Sequence, residues 1–254
     1  MRNLVRLREH AGRGHDLAET TRRFPVRRYG SNGVDLAPVR TEIRGRGHTR
    51  DRRRLPASKR CFDASAAFLL LLLLAPGLLA IALTIKLTSR GPVLFRQWRY
   101  GLNNQLFRIY KFRTMYADQG DEAGVQQTRR GDRRVTSLGR FLRRSSLDEV
   151  PQLLNVLKGD MSLVGPRPHV PGMLAGGILY EELVPDYFER HLFRPGITGL
   201  AQAHGLRGST EDPGAAIARI KRDLEYIDTW SLRLDLRLLI ETARTELLQL
   251  GSGM

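Results

Sequence analysis

The sequence predicts an α+β protein that is mainly helical and keeps one helix in a membrane. A run of 20 residues without a charged side chain, from Ala66 to Ile85, is long enough to cross a bilayer as a helix. From Gly91 onward, short β-like segments are followed by amphipathic helical patterns, and no second apolar run of that length occurs. We therefore expect a small domain over residues 91–250 that lies against one membrane face.

The first residues form a basic arm. Residues 1–60 carry 17 Lys/Arg and 6 Asp/Glu, which is +11 of the net charge of +16. With scattered glycines and little periodicity, residues 1–55 are predicted to be largely disordered. Such an arm can tether the chain to an anionic membrane or remain a solvated tail; a role in nucleic-acid binding is not favoured. The single cysteine, Cys61, excludes an internal disulfide and fits a reducing compartment.

The apolar segment has an unusual centre and unusual flanks. Pro76 removes a backbone hydrogen bond and should bend the helix there. Basic residues lie on both sides: Arg50, Arg52, Arg53, Arg54, Lys59 and Arg60 before it, and Lys86, Arg90, Arg96 and Arg99 after it. Since Lys and Arg favour the cytoplasmic side of a membrane, the basic flanks favour that same side for both ends of the segment. The residues alone leave two alternatives for 59–90, a kinked spanning helix and a re-entrant one.

The domain after this segment should begin with a hairpin and continue with helices. Val93 to Arg96 and Leu106 to Arg113 read as extended segments around a turn. Helical patterns follow at Ser137 to Arg144, Val150 to Leu157, Tyr180 to His191, Ala215 to Trp230 and Leu232 to Leu250. The last two are amphipathic, which suits either core packing or contact with a membrane interface.

The stretch from Arg143 to Pro168 carries the most chemical information. Ser146 and Glu149 have capping-box spacing, so a helix is predicted to start there, with Asp148 and Glu149 in its first turn. Carboxylates of this kind can act as a nucleophile and hold Mg²⁺. An acidic pair at a helix start also has a simpler interpretation, compensation of the helix dipole.

Two arginines accompany the carboxylates. Arg143 lies just upstream, and Arg167 lies in the turn Gly165 to Pro168. Guanidinium groups bind phosphate oxygens in pairs, so the combination suits phosphate chemistry. A solvated surface for Arg143 and a structural ion pair for Arg167 are the alternatives.

Several longer motifs resemble one known family. They are KRCFD (Lys59 to Asp63), GPVLFRQWRYG (Gly91 to Gly101), YKFRTM (Tyr110 to Met115), SSLDEVPQLLNVLKGDMSLVGPRP (Ser145 to Pro168), RPGITGLAQAHG (Arg194 to Gly205) and DLEYIDTWSLRLDLRLL (Asp223 to Leu239). In this order they resemble the monotopic phosphoglycosyl transferases, or bacterial sugar transferases, over about residues 59–250. Ala75 departs from the family, which often has serine before the proline.

The resemblance implies a mechanism and a location. A carboxylate at the position of Asp148 attacks the β-phosphate of a UDP-sugar, releases UMP and carries the phosphosugar to undecaprenyl phosphate. Glu149 assists by binding Mg²⁺, together with Asp148, or by handling a proton. Arg143 and Arg167 align with phosphate-contacting arginines, and Lys111 and Arg113 are expected to bind substrate phosphate.

The resemblance also implies a re-entrant helix broken at Pro76 and a catalytic domain on the cytoplasmic face of the bacterial inner membrane. The product would start exopolysaccharide, O-antigen or capsule assembly, with glucose favoured as the sugar and galactose next. Mg²⁺ is the expected cofactor, and UDP-sugar, undecaprenyl phosphate and membrane lipids are the expected partners, without nucleic acid; a homo-oligomer stays open. The alternative is a catalytically inert, membrane-tethered scaffold of a polysaccharide assembly complex.

Overall fold

The computed structural model describes residues 22–29, 35–43, 56–118, 131–206 and 212–251. Within the basic arm, strand β1 (Arg22–Tyr29) pairs antiparallel with strand β2 (Asp35–Ile43). The arm over residues 1–55 was predicted to be largely disordered, and the structure gives a regular conformation to these two strands of it. The rest of the arm, up to residue 55, lies outside the described residues.

Helix α1 contains the apolar segment. It runs over Ala57–Thr88, close to the predicted 59–90, and is 32 residues long. Pro76 lies inside it, and helical structure continues on both sides, so the predicted break does not appear as a gap in the helix. Pro76 cannot donate a hydrogen bond to the carbonyl of Leu72, which leaves one acceptor of the helix free. The helix is long and apolar enough to cross a membrane, with 6% of its most apolar window buried.

The two ends of α1 both pack against the domain that follows. At its beginning, Lys59 and Asp63 are buried, and Arg60 donates to the carbonyls of Val156 and Leu157. At its end, Ile85 is 1% exposed. Large apolar side chains between the ends are exposed: Phe68, Leu69, Leu70, Leu72, Leu73, Leu74, Leu79 and Leu83.

A β-hairpin follows α1, as predicted. Strand β3 (Leu94–Tyr100) pairs antiparallel with strand β4 (Leu106–Phe112) around a short 3-10 turn, Leu102–Asn104. Asn103 and Asn104 adopt positive φ angles of 54° and 62° in that turn. Asparagine tolerates this conformation better than most residues, which explains why the turn closes without a glycine at either position.

The segment with the candidate chemistry is helical but not one helix. Helix α2 (Ser137–Arg144) has the predicted bounds and is capped by the Thr136 side chain. A 3-10 segment, Leu147–Gln152, leads into helix α3 (Leu153–Lys158). Gly159 ends α3 at φ 89°, a left-handed conformation that favours glycine at the end of a helix.

The remaining elements complete a mixed helix and strand fold. They are β5 (Ser162–Val164), β6 (Leu174–Ala175), β7 (Ile178–Leu179), α4 (Tyr180–Leu183), a 3-10 segment (Tyr187–Leu192), β8 (Gly196–Thr198), α5 (Leu200–Ala203), α6 (Pro213–Thr229) and α7 (Leu232–Gly251). The single helix predicted from Tyr180 to His191 is divided, because Pro185 lies between its two parts. Strands β6 and β7 pair antiparallel, and β5 pairs with β8 in parallel.

The main core joins the first end of α1 to these elements. Its buried apolar side chains come from α1, β4, α3, β5, α5, α6, α7 and the connecting segments: Ala67, Phe107, Ile109, Leu153, Val156, Met161, Leu163, Val164, Phe193, Leu200, Tyr226, Ile227 and Leu238. Next to it lies a buried polar cluster in which Lys59 Nζ is 2.8 Å from Asp63 Oδ1 and 2.9 Å from Asp235 Oδ2. Helix α1 is thus fixed to α7 by charge as well as by packing.

Candidate active site

Asp148 and Glu149 lie in the 3-10 segment directly after α2, not in an α-helical first turn. Ser146 has φ 54°, so the chain turns sharply before the two carboxylates. The predicted capping box is wrong: Ser146 Oγ donates to Glu246 Oε2 at 2.8 Å, and no side-chain cap forms. The left-handed turn at Ser146 is incompatible with the extended backbone that an N-cap needs.

Glu149 is held by two cations. Its Oε1 lies 2.6 Å from Lys111 Nζ and 2.8 Å from Arg167 Nη2. Burial alone would raise the pKa of this carboxyl, but the charges and hydrogen bonds of Arg167 and Lys111 outweigh it and hold the pKa well below its usual range. Glu149 is therefore ionised at any physiological pH.

Asp148 is in the opposite situation. The residue is only 8% exposed. Within the described part of the chain, its side chain has no hydrogen bond or ion pair. Burial raises the pKa of Asp148, Lys111 opposes that rise, and the neighbouring Glu149 charge adds to it. An unpaired, poorly solvated carboxylate is a better nucleophile than one held by hydrogen bonds.

Arg143 lies on α2 and is oriented by Thr114, two residues after the end of β4. Its Nε donates to Thr114 Oγ1 at 2.7 Å, which leaves its terminal guanidinium nitrogens without a partner among the described residues. Burial lowers the pKa of Arg143, and the Asp148 carboxylate works against that effect. Among the described residues, the terminal guanidinium nitrogens of Arg143 are thus available to bind an anion. Sequence reasoning missed Thr114, although it lies inside the motif that contains Lys111.

Arg167 is positioned through its backbone. Arg190 Nη2 donates to the Arg167 carbonyl at 2.6 Å, and Arg99 Nη1 donates to the Pro168 carbonyl at 3.2 Å. Arg190 is itself paired with Asp223 in a fully buried position. These supports come from distant parts of the chain, so no local pattern could have revealed them.

Arg113 does not join this cluster. Its guanidinium donates to the carbonyls of Pro92 and Ser89 and to Ser89 Oγ, where α1 ends. The residue is 6% exposed, and burial lowers its pKa. The structure therefore brings together Asp148, Glu149, Lys111, Arg143 and Arg167, and gives Arg113 a structural position at the end of α1.

A comparison with known families agrees with this geometry. A sequence model of the family described as bacterial sugar transferase matches residues 54–249. The chain belongs to the bacterial sugar transferase family. The matched range includes α1 and every residue of the site, and it excludes β1 and β2.

Individual relatives of this sugar transferase carry informative names. The exopolysaccharide production protein PSS of Rhizobium leguminosarum bv. phaseoli is 54% identical over 195 residues, which is 77% of this chain and 97% of that protein. The undecaprenyl-phosphate glucose phosphotransferase of Komagataeibacter xylinus is 52% identical over 74% of this chain and 36% of its own length. The UDP-glucose:undecaprenyl-phosphate glucose-1-phosphate transferase of Caulobacter vibrioides is 53% identical over 72% of this chain and 67% of its own length. The chain thus spans nearly all of one relative and about a third of a longer one.

Proposed function

We propose that this sugar transferase moves a hexose-1-phosphate from a UDP-sugar to undecaprenyl phosphate through a covalent phosphosugar on Asp148. The observation that carries the proposal is the asymmetry of the carboxylate pair: Glu149 is bonded to two cations, whereas Asp148 is unpaired among the described residues. The names of the relatives support the two substrates.

The first step transfers the phosphosugar to the protein. An Asp148 carboxylate oxygen attacks the β-phosphorus of the UDP-sugar, and a bond from oxygen to phosphorus forms. The bond between that phosphorus and the bridging oxygen breaks, and UMP leaves with the electron pair. The product is an acyl phosphate on Asp148, which splits one difficult transfer into two easier ones.

The second step returns Asp148 to its starting form. A phosphate oxygen of undecaprenyl phosphate attacks the same phosphorus, and the bond to the Asp148 oxygen breaks. A polyprenyl diphosphate sugar is released, and the carboxylate is regenerated. No proton has to be moved for the balance, since the attacking and leaving groups are both anionic oxygens.

The cations around Asp148 supply the electrostatic stabilisation. Lys111, Arg143 and Arg167 bring three positive charges to the two carboxylates, so the site as described has a net charge of +1 before substrate arrives. A diphosphate is attracted to such a site, and preorganised cations stabilise charge that develops on its oxygens. Glu149 contributes by holding Lys111 and Arg167 in place.

Mg²⁺ fits the residues that are present. It commonly binds through one or two carboxylates together with substrate phosphates and water. Asp148 offers both oxygens, and Glu149 Oε2 has only a long contact of 3.5 Å to Arg167 Nη1. No group of three or more potential metal ligands occurs in the described ranges, so the substrate would have to complete the coordination. When bound there, the ion would neutralise diphosphate charge.

The membrane arrangement proposed for α1 is re-entrant. Polar groups at its two ends, Lys59 and Ser89, bond to the same domain, through Asp235 and Arg113. A spanning helix would separate those ends by a hydrocarbon core of about 30 Å, which a polar domain cannot straddle. The domain would then lie on the cytoplasmic face of the inner membrane, as the basic flanks suggest. On α7, exposed Leu232, Leu236 and Ile240 form an apolar stripe suited to the same interface.

The proposed sugar is glucose, and the proposed pathway is exopolysaccharide assembly. Both rest on the names of relatives that are 52–54% identical. Galactose is the second choice for the donor sugar.

The decisive experiment combines purified protein, Mg²⁺, undecaprenyl phosphate and a panel of UDP-sugars, and measures UMP. We expect release with UDP-glucose, and almost none from Asp148→Asn. The exposed Asp118→Asn variant is the matched control and should keep its activity. Mass spectrometry of protein treated with donor alone should detect the hexose phosphate on Asp148. Equal turnover by Asp148→Asn, without an adduct on the native protein, would refute the covalent Asp148 mechanism. No UMP release from the native protein with any UDP-sugar would favour the scaffold alternative.

A further inference from the structure

One face of the β3–β4 hairpin carries an uncovered set of aromatic and basic side chains. This outer face consists of Arg96, Trp98, Arg108 and Tyr110, extended by Lys158 at the end of α3. Arg96 is paired across the strands with Tyr110, and Trp98 with Arg108. The Arg108 guanidinium carbon lies 4.8 Å from the centre of the Trp98 ring, and Lys158 Nζ lies 4.5 Å from that of Tyr110. Trp98 is 46% exposed.

The positive charges of the outer face have no acidic partners among the described residues. Arg96, Arg108 and Lys158 form no ion pair with a described carboxylate, and all three are exposed. Each instead lies over an aromatic ring within the same face. One turn before Lys158, Leu154 adds an apolar side chain that is 38% exposed. The result is a basic, aromatic and partly apolar surface that the described part of the domain does not cover.

The outer face lies on the same side of the hairpin as α1. Side chains alternate along a strand, so Leu94 and Phe112 point to the same side as Arg96 and Tyr110. Phe112 belongs to the apolar cluster formed with Ile85 of α1, and Leu94 packs against that cluster. The other end of α1 is bound to α3, because Arg60 donates to the carbonyl of Leu157, next to Lys158. The two ends of α1 therefore border the outer face.

We propose that the outer face lies on the phosphate layer of an anionic bilayer. The inference rests on the membrane insertion of α1 proposed above. Unpaired cations complement lipid phosphates, and tryptophan and tyrosine favour the level where acyl chains meet headgroups. An acidic protein partner would complement the charge equally well, but it would not explain why the surface is bordered by both ends of an apolar helix.

This contact would determine where the site sits relative to the lipid. Lys111 follows Tyr110 in β4 and points to the opposite side of the hairpin, where it holds Glu149. If Tyr110 and Trp98 lie at the level of the lipid headgroups, Lys111 lies on the far side of the hairpin, one strand thickness away from the headgroups. The hairpin would act as a spacer between the lipid phosphates and the catalytic carboxylates.

The two native tryptophans allow a direct test. Trp230→Phe leaves Trp98 as the single fluorophore, and the double variant Trp98→Phe/Trp230→Phe with Leu73→Trp reports on the exposed middle of α1. Each protein is reconstituted into vesicles of phosphatidylcholine and phosphatidylglycerol whose chains are brominated either near the headgroup or near the chain end. We expect Trp98 to be quenched more by the shallow bromine, and the tryptophan at position 73 more by the deep one.

The outcomes separate this inference from the membrane insertion of α1. If position 73 is quenched and Trp98 is quenched by neither lipid, the outer face does not contact the bilayer and the inference is wrong. If neither position is quenched, the insertion of α1 fails as well. Neither result depends on activity, so the assignment of Asp148 is tested separately.

A charge test uses the same readout. Arg96→Gln/Arg108→Gln removes two cations and should shift the balance between seated and unseated Trp98 by about 30-fold in vesicles with phosphatidylglycerol. The matched control, Arg96→Lys/Arg108→Lys, keeps the charges and should retain most of the quenching. Equal quenching of the glutamine and native proteins would overturn the role given to these arginines.

Discussion

Replacing Lys59 should destabilise the protein more than any other single lysine change at the ends of α1. Lys59→Met removes the cation that lies 2.8 Å from Asp63 and 2.9 Å from Asp235, and the three side chains are 2%, 3% and 0% exposed. Two buried carboxylates then lose their counter-charge, and breaking a buried pair in this way costs about 3–5 kcal/mol.

The hydrogen bonds that remain around the two carboxylates place the stability lost in Lys59→Met near the lower end of this range of about 3–5 kcal/mol. Asp63 keeps the bond from Ser162 Oγ at 2.7 Å, and Asp235 keeps the bond from Tyr226 OH at 2.7 Å. With about 3 kcal/mol lost, and about 2–4 °C per kcal/mol for a domain of this size, the unfolding midpoint should fall by roughly 6–12 °C.

The assay is thermal unfolding of the purified protein in detergent, followed by fluorescence. Lys86→Met is the matched control, because Lys86 lies at the other end of α1, is exposed and has no ion pair within the described residues; it should change the midpoint by less than about 2 °C. Lys59→Met/Asp235→Asn should recover part of the loss, since one unpaired charge is removed. A fall below about 2 °C for Lys59→Met, or no recovery in the double variant, would refute the reasoning.

Three further predictions concern the site and its support. Asp148→Asn should raise the unfolding midpoint while it abolishes UMP release. Burial raises the pKa of Asp148, so the ionised carboxylate destabilises the folded state above that pKa, and the neutral amide removes this destabilisation. A lowered midpoint would contradict this. UMP release should fall on acidification as Asp148 takes up a proton, at a pH above the ordinary aspartate range, because the pKa of Asp148 is raised. Glu149 stays ionised over this range because its pKa is lowered. A pH–rate profile without a fall on the acidic side would refute the role of the ionised Asp148. Thr114→Val should raise the KM for the UDP-sugar by roughly tenfold, because Arg143 loses an orienting hydrogen bond that contributes about 1.5 kcal/mol. Arg113→Met should lower the stability of the protein and leave that KM unchanged. Similar KM values for both variants would argue against a substrate-binding role for Arg143 and a structural role for Arg113.

The local patterns of the sequence predicted the parts of the fold that depend on neighbours along the chain. The hairpin and α2 follow from the extended and helical patterns of their own residues. Lys111 and Arg167 were predicted to bind substrate phosphate, with a structural ion pair as the alternative for Arg167. The structure shows both cations in ion pairs with Glu149, and phosphate binding stays a prediction.

The failures have specific physical causes. The capping box at Ser146 fails because Glu149 gains more from two cations than from a backbone amide, and Ser146 finds Glu246 instead. Arg113 was predicted to bind substrate phosphate because it belongs to the same motif as Lys111, but it lies just beyond the end of β4, where its guanidinium donates to Ser89 O and Oγ at the end of α1. The support of Arg167 by Arg190 joins positions 23 residues apart, a pairing that periodicity does not encode.

The attachment of α1 at both ends has a consequence for how the protein meets its lipid substrate. A helix held at one end lets its domain swing above the bilayer, so the height of a catalytic group varies with thermal motion. Here the domain binds the helix through Lys59 at one end and Arg113 at the other. Once that helix is embedded, rolling or lifting the domain would require one of these anchors to open. A long-chain lipid phosphate could then be met at a fixed depth, without the chain having to leave the bilayer.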